Sequence, residues 1–160
     1  MKIRNFQSVD SDEIADLFHR SVYAIDDAIY TPAQKQAWAP PTDYAKWQAR
    51  LQTSQPFVAV SNGQIVGFIE LREHGYIDCL YVHPDHQHRG IATALLTHLC
   101  RAAYQLGLNT LSVEASKVAL PFFERHGFEI VEAQVVLRYG QRLQNFRMQL
   151  SQQGLRKLVG

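Results

Sequence analysis

Apolar positions along the chain change period several times, and the changes divide it into elements. Ile14, Leu17, Phe18 and Val22 recur at three- and four-residue intervals, which predicts an amphipathic helix through about Tyr23. Ser8, Asp10 and Ser11 stand before it as capping residues, with Asp12, Glu13 and Asp16 near the positive end of the helix dipole. Lys2–Phe6 before it reads as a short strand. Ala24–Pro41 is the least regular stretch and breaks at Pro40-Pro41. Thr42 or Asp43 then caps a helix carrying Tyr44, Trp47 and Leu51. Phe57–Val60 and Gln64–Leu71 form a hairpin around Ser61-Asn62-Gly63.

The stretch from Gly75 to Leu106 organises the rest. Tyr76, Asp78 and Leu80 alternate with Ile77, Cys79 and Tyr81, a strand that ends before Pro84, and the alternation places Asp78 and Cys79 on opposite faces. Ile91, Leu95, Leu99, Ala102/Ala103 and Leu106 then form a helical stripe. Thr110–Val113 is a further strand. A helix over Lys117–His126 closes at Gly127, and Phe128–Tyr139 and Leu143–Leu150 make a terminal hairpin around Gly140. The order βααβββαβαββ mixes hairpins with strand–helix–strand units. It predicts an α/β (α+β) domain over residues 1–160, a mixed sheet of about six to seven strands with helices on both faces.

Composition excludes more than it specifies. The chain has 160 residues, enough for one core, and a net charge of +1, which gives no field for nucleic acid or an anionic membrane. No apolar run reaches membrane-spanning length, the first residues are no signal peptide, and the cytoplasm is the default compartment. Cys79 and Cys100 make no disulfide framework. His83, Asp85, His86 and His88 look metal-rich, but no second ligand cluster accompanies them, so no metal is expected.

The chemistry lies between the central strand and helix. Gln87-His88-Arg89-Gly90-Ile91-Ala92 has little bulk where a helix begins, so a ligand can approach unpaired N–H groups at the positive end of the dipole. That is an anion site suited to a pyrophosphate. Gln87-x-x-Gly90-x-Ala92 after a strand resembles the acetyl-CoA signature of the GNAT N-acetyltransferases, Q/R-x-x-G-x-G/A. Ala119-x-x-Phe122-Phe123-Glu124-x-x-Gly127-Phe128 resembles that family's A-x-x-F-Y-E-x-x-G-F segment. The resemblance covers roughly the second half of the chain.

The resemblance implies that the central strand and the Thr110–Val113 strand splay apart. The pantetheine arm of acetyl-CoA, as co-substrate, would pair with backbone at Leu80, Tyr81 and Val82. The amides of His88 to Thr93 would hold the phosphates, and Ser116, Ala119, Phe122 and Phe123 would face the cofactor across the slot. A primary amine would attack directly in a ternary complex. Asp78 is the expected base, partly buried, with Glu70 and His74 in reserve. Asp27, Tyr30 and Trp38, carboxylate beside aromatics, are expected to bind the amine. Phe123 stands where many relatives carry the Tyr that protonates the leaving thiolate, and Ser116 and Tyr139 are possible replacements. That departure keeps two alternatives open, an acetyl-CoA sensor without turnover and an interaction module. The terminal strands would allow a homodimer.

Overall fold

The computed structural model describes residues 1–160. The strands are β1 (Lys2–Asn5), β2 (Phe57–Ser61), β3 (Gln64–Arg72), β4 (Tyr76–Val82), β5 (Leu111–Ser116), β6 (Glu129–Arg138) and β7 (Gln141–Leu150). The helices are α1 (Ser11–Tyr23), α2 (Pro32–Trp38), α3 (Tyr44–Ser54), α4 (Ile91–Gln105), α5 (Leu120–Arg125) and α6 (Gln152–Val159). All seven strands join one sheet in the order β1-β2-β3-β4-β5-β7-β6, and every neighbouring pair is antiparallel except β4 with β5. This is the mixed sheet expected.

Helices cover both faces. Ile91, Leu95, Leu96, Leu99, Cys100 and Ala103 of α4 bury on one face, with Ile69, Ile77, Val113 and Met148 beneath them and Leu155 of α6 beside them. A fully buried Leu stabilises by about 1.5–3 kcal/mol, so this stripe anchors the fold. Gly67 of β3 allows the close fit: a Cβ there would lie 3.0 Å from the Leu95 side chain and 3.1 Å from the Tyr81 carbonyl oxygen. On the other face Ile14 and Leu17 of α1 and Leu51 of α3 pack on Val58, Phe68 and Cys79.

Two helices were not expected. Residues 24–41 contain α2: Thr31 is its N-cap, accepting from the Gln34 N–H at 3.1 Å, and Pro32 stands in the first turn. A proline there starts a helix, because its missing N–H has no partner to lose. The C-terminal α6 is capped by Ser151 and buries Leu155 against α4. The helix expected over Lys117–His126 is shorter, Leu120–Arg125, because the Ser116 hydroxyl takes the Ala119 N–H at 3.1 Å and holds that segment as a turn.

Candidate active site

One irregularity in β4 shapes everything around it. Ile69 of β3 pairs with Leu80, but Leu71 pairs with Ile77, so β4 carries an extra residue opposite Glu70. This β-bulge breaks the expected alternation. Ile77, Leu80 and Val82 pack on the α4 side, while Cys79 and Tyr81 pack on the α1–α3 side. Ile77 and Cys79 therefore lie on opposite faces. Asp78 and Cys79, expected to point apart, are both reached by the same Arg50 Nη2, at 3.2 Å and 2.9 Å.

Beyond the bulge β4 leaves its parallel neighbour. Only Tyr76–Ser112 and Ile77–Val113 pair, although β4 continues to Val82 and β5 to Ser116. The edge of β4 facing β5 is unpaired beyond Ile77. One carbonyl at its end is already engaged: the Ser21 hydroxyl donates to Val82 O at 3.0 Å.

A cavity of about 350 Å³ opens at this splay. Asp78, Leu80 and Tyr81 line it from β4, Ser116 from the end of β5, and Ala119 and Phe123 from beyond it. Tyr30 and Trp38 close it from the α2 region, their rings 5.3 Å apart. The Tyr30 hydroxyl receives the Lys117 N–H and donates to Gln144 O, both at 3.0 Å. Asp27, expected with them, does not line the cavity. Its side chain is 70% exposed and pairs with Lys35 at 2.7 Å, because Lys35 is buried and needs a counter-charge. Phe122 lies behind Phe123, ring centroids 5.2 Å apart, and touches His126. Phe123 itself is 2% exposed.

Under the cavity lies a charged network. Glu70 is fully buried and receives Arg50 Nη2 at 2.6 Å and the Ser54 hydroxyl. Burial alone would push Glu70 up, but these hydrogen bonds and the Arg50 charge outweigh it and hold its pKa below the ordinary glutamate value. Arg72 reaches Asp78 at 3.5 Å, so two guanidiniums meet one carboxylate that is 31% exposed. Asp78 is thus half-buried, as expected, and sits among ion pairs. His74 is exposed, in a turn with φ 60°, and does not line the cavity.

The loop after β4 has a different character. Gln87, His88, Arg89 and Gly90 are exposed, with His88 and Gly90 at positive φ. Ile91 is buried beneath the helix start, and Ala92 is half-buried. From Gln87 to Thr93 no backbone N–H finds an acceptor in the chain, and the first that does is Ala94, bonded to Gly90 O at 3.0 Å. The Thr93 hydroxyl lies 3.3 Å from His126 Nε2, linking α4 to α5.

Sequence reasoning missed several cavity residues: Arg50, Glu114, Arg138 and Asn145. Glu114 was visible as the polar member of the Ser112–Glu114–Ser116 alternation. Arg50 gave no local signal, because its partners are on other elements.

Residues 26–150 match the acetyltransferase (GNAT) domain family. The chain is 40% identical over 153 residues to the uncharacterized N-acetyltransferase YafP of Escherichia coli K12, covering 96% of this chain and 97% of that one. A GCN5-related N-acetyltransferase structure from Rhodopseudomonas palustris superposes with a TM-score of 0.89 at 33% identity, over 94% of each chain. The fold is shared also with YncA of Salmonella typhimurium, a putative acetyltransferase solved with acetyl-CoA (TM-score 0.72, 18% identity, 94% of this chain and 93% of that one). Family match, full-length relative and sheet topology agree: the chain belongs to the GNAT acetyltransferases and is an acyltransferase.

Proposed function

We propose that this acyltransferase moves the acetyl group of acetyl-CoA to a primary amine by direct attack in a ternary complex. One observation carries the reading: the unpaired edge of β4 is followed, after the single turn Pro84–His86, by the free amides from Gln87 to Thr93. An extended arm ending in a pyrophosphate meets both needs, strand-like pairing along the edge and anion binding at the helix start.

Acetyl-CoA supplies an acetyl group activated as a thioester. Leu80, Tyr81 and Val82 pair with its arm, and Val82 contributes less because Ser21 holds its carbonyl. The amides of His88, Arg89, Gly90, Ile91, Ala92 and Thr93 hold the phosphates, with Gln87 and Arg89 adding side-chain contacts. Ser116, Ala119 and Phe123 flank the arm, and Phe122 supports Phe123 from behind. A backbone N–H of Tyr81 or Val82 stabilises the charge that develops on the acetyl oxygen. Asp78, fixed by Arg50 and Arg72, takes the amine proton directly or through water. Tyr30 and Trp38 wall the acceptor side.

The test is thiol release from acetyl-CoA with a panel of amines. Release that depends on both partners is the expected result. Acetyl-CoA raising the melting temperature with no release by any amine would overturn the reading and favour a sensor, the alternative that Phe123, a ring without a hydroxyl, suggests.

A further inference from the structure

Tyr76, Glu114 and Arg138 line the cavity and have no part in the reading above. They come from the start of β4, the middle of β5 and the end of β6. Leu111, Val113 and Ala115 of β5 bury on the α4 side, so Glu114 stands on the opposite face, near Tyr76, whose register partner is Ser112.

Four ionised side chains line this cavity, and they divide into two pairs. Arg50 and Asp78 are bonded to each other and to Glu70 and Arg72. Glu114 and Arg138 have no ion-pair partner, although both act on the Tyr76 ring. Burial pushes the Tyr76 hydroxyl up to about 12, the Glu114 charge pushes the same way, and Arg138 opposes them. Tyr76 is therefore a neutral phenol, a donor at neutral pH, in the same cavity as a free anion and a free cation.

A ligand that meets all these groups carries an anion and an N–H-rich cation on one small frame. A polycation finds a counter-charge at Glu114 but leaves Arg138 unmatched. We propose that the acceptor is a zwitterion of amino-acid type, an amine bearing its own carboxylate. The carboxylate meets Arg138 and Tyr76, and the ammonium meets Glu114. This rests on the acetyl-transfer reading. In that reaction the nitrogen–acetyl carbon bond forms and the carbon–sulfur bond breaks, the sulfur leaving with the electron pair. Of the three ammonium protons one stays on the new amide, one goes to the thiol, and one passes through Asp78 to water.

The experiment compares free L-amino acids with their carboxamides and with spermidine in the thiol-release assay. Free acids should be preferred over carboxamides by about tenfold or more in kcat/KM, the worth of a charge-assisted contact. Arg138→Gln should collapse that preference, mainly through KM, while acetyl-CoA still raises the melting temperature. Spermidine as the best acceptor, or an Arg138→Gln variant that keeps the preference, overturns the proposal. No turnover with any amine counts against acetyl transfer itself. The acceptor class is then read by titrating amino acids into the CoA-loaded protein calorimetrically, where binding that Arg138→Gln weakens supports the zwitterion and its absence overturns it.

Discussion

The loop that follows β4 and the cavity beside it sit a few residues apart and are built in opposite ways. The loop offers unpaired backbone and almost no fixed side chains: Gln87 to Gly90 are exposed, and the amides through Thr93 have no partner in the chain. The cavity offers fixed side chains: Arg50, Glu70, Asp78, Arg72, Ser54 and Cys79 are tied into one network beneath it. Backbone recognition suits a ligand that every member of a family shares, and it tolerates side-chain change. Side-chain recognition suits a ligand that differs between members. The contrast is the ground on which we propose the first region for the cofactor and the second for the acceptor.

The sharpest way to break that contrast is Gly90→Glu. Gly90 sits at φ 79° with nothing within 4 Å of a Cβ, so the fold has room, but the new carboxylate would stand at the proposed phosphate site. The acetyl-CoA shift in melting temperature should vanish. Gly90→Ala pays the same backbone strain without the charge and should keep most of the shift. If Gly90→Glu retains it, the loop is not the anion site.

The cavity side is tested next by Arg50→Ala. Removing it leaves Glu70 buried with an unbalanced charge, and denaturant unfolding should show a loss of roughly 3 kcal/mol, the low end for a broken buried pair because Arg50 is 33% exposed. Acetyl-CoA binding should change little. Asp78→Asn should lower kcat/KM by about 10²-fold at neutral pH, with the deficit shrinking as pH rises and more amine is neutral. Full turnover at pH 7 would remove Asp78 from proton transfer.

Acid should separate the two regions further. Glu70 has a folded pKa below its ordinary 4.5, so its contribution to stability is complete above that value and is lost as pH falls through the lower, folded one. Asp10 behaves alike: burial would raise it, but Arg4 at 2.7 Å and the Gln7 N–H at 2.8 Å bring it down. A stability profile flat from pH 7 to about 5 and falling below it is expected. Glu70→Gln should flatten part of that fall.

The smallest effect belongs to Phe123→Tyr. The ring is 2% exposed and lines the cavity, so an added hydroxyl points either into the cavity or into packed side chains. Activity equal to or slightly above the parent is expected. A free thiol has a pKa of about 8.5, so the leaving group does not require an acid. A loss of more than tenfold would mean that the hydroxyl has no room.

How much of this was legible depended on whether the signal was local. Gly90 and Ala92 between a strand and a helical stripe announced the loop, because anion binding at a helix start is a property of consecutive residues. The mixed sheet and helices on both faces followed from element order. The register inside β4 did not: a bulge leaves no mark in a run such as Tyr76-Ile-Asp-Cys-Leu, and it reversed the relation of Ile77 to Cys79. Arg50 was invisible for a related reason, since its three partners lie on β3 and β4. Pro32 was passed over as part of an irregular stretch because the same residue ends helices and begins them. Asp27 was plausible beside Tyr30 until Lys35 proved to be buried next to it.

Tyr30 has a consequence for how the opened sheet is held. β5 loses its β4 partner after Val113, yet the Lys117 N–H just past its end is not free: it donates to a phenol from the α2 region, and that phenol donates onward to the β7 carbonyl of Gln144. Lys117 and Gln144 follow Ser116 and Asn145 in the register of β5 with β7, so one oxygen atom works as a splice, carrying that ladder one step further through a side chain. Amide exchange at Lys117 should read this junction directly, slow while the splice is closed and fast whenever Tyr30 lets go.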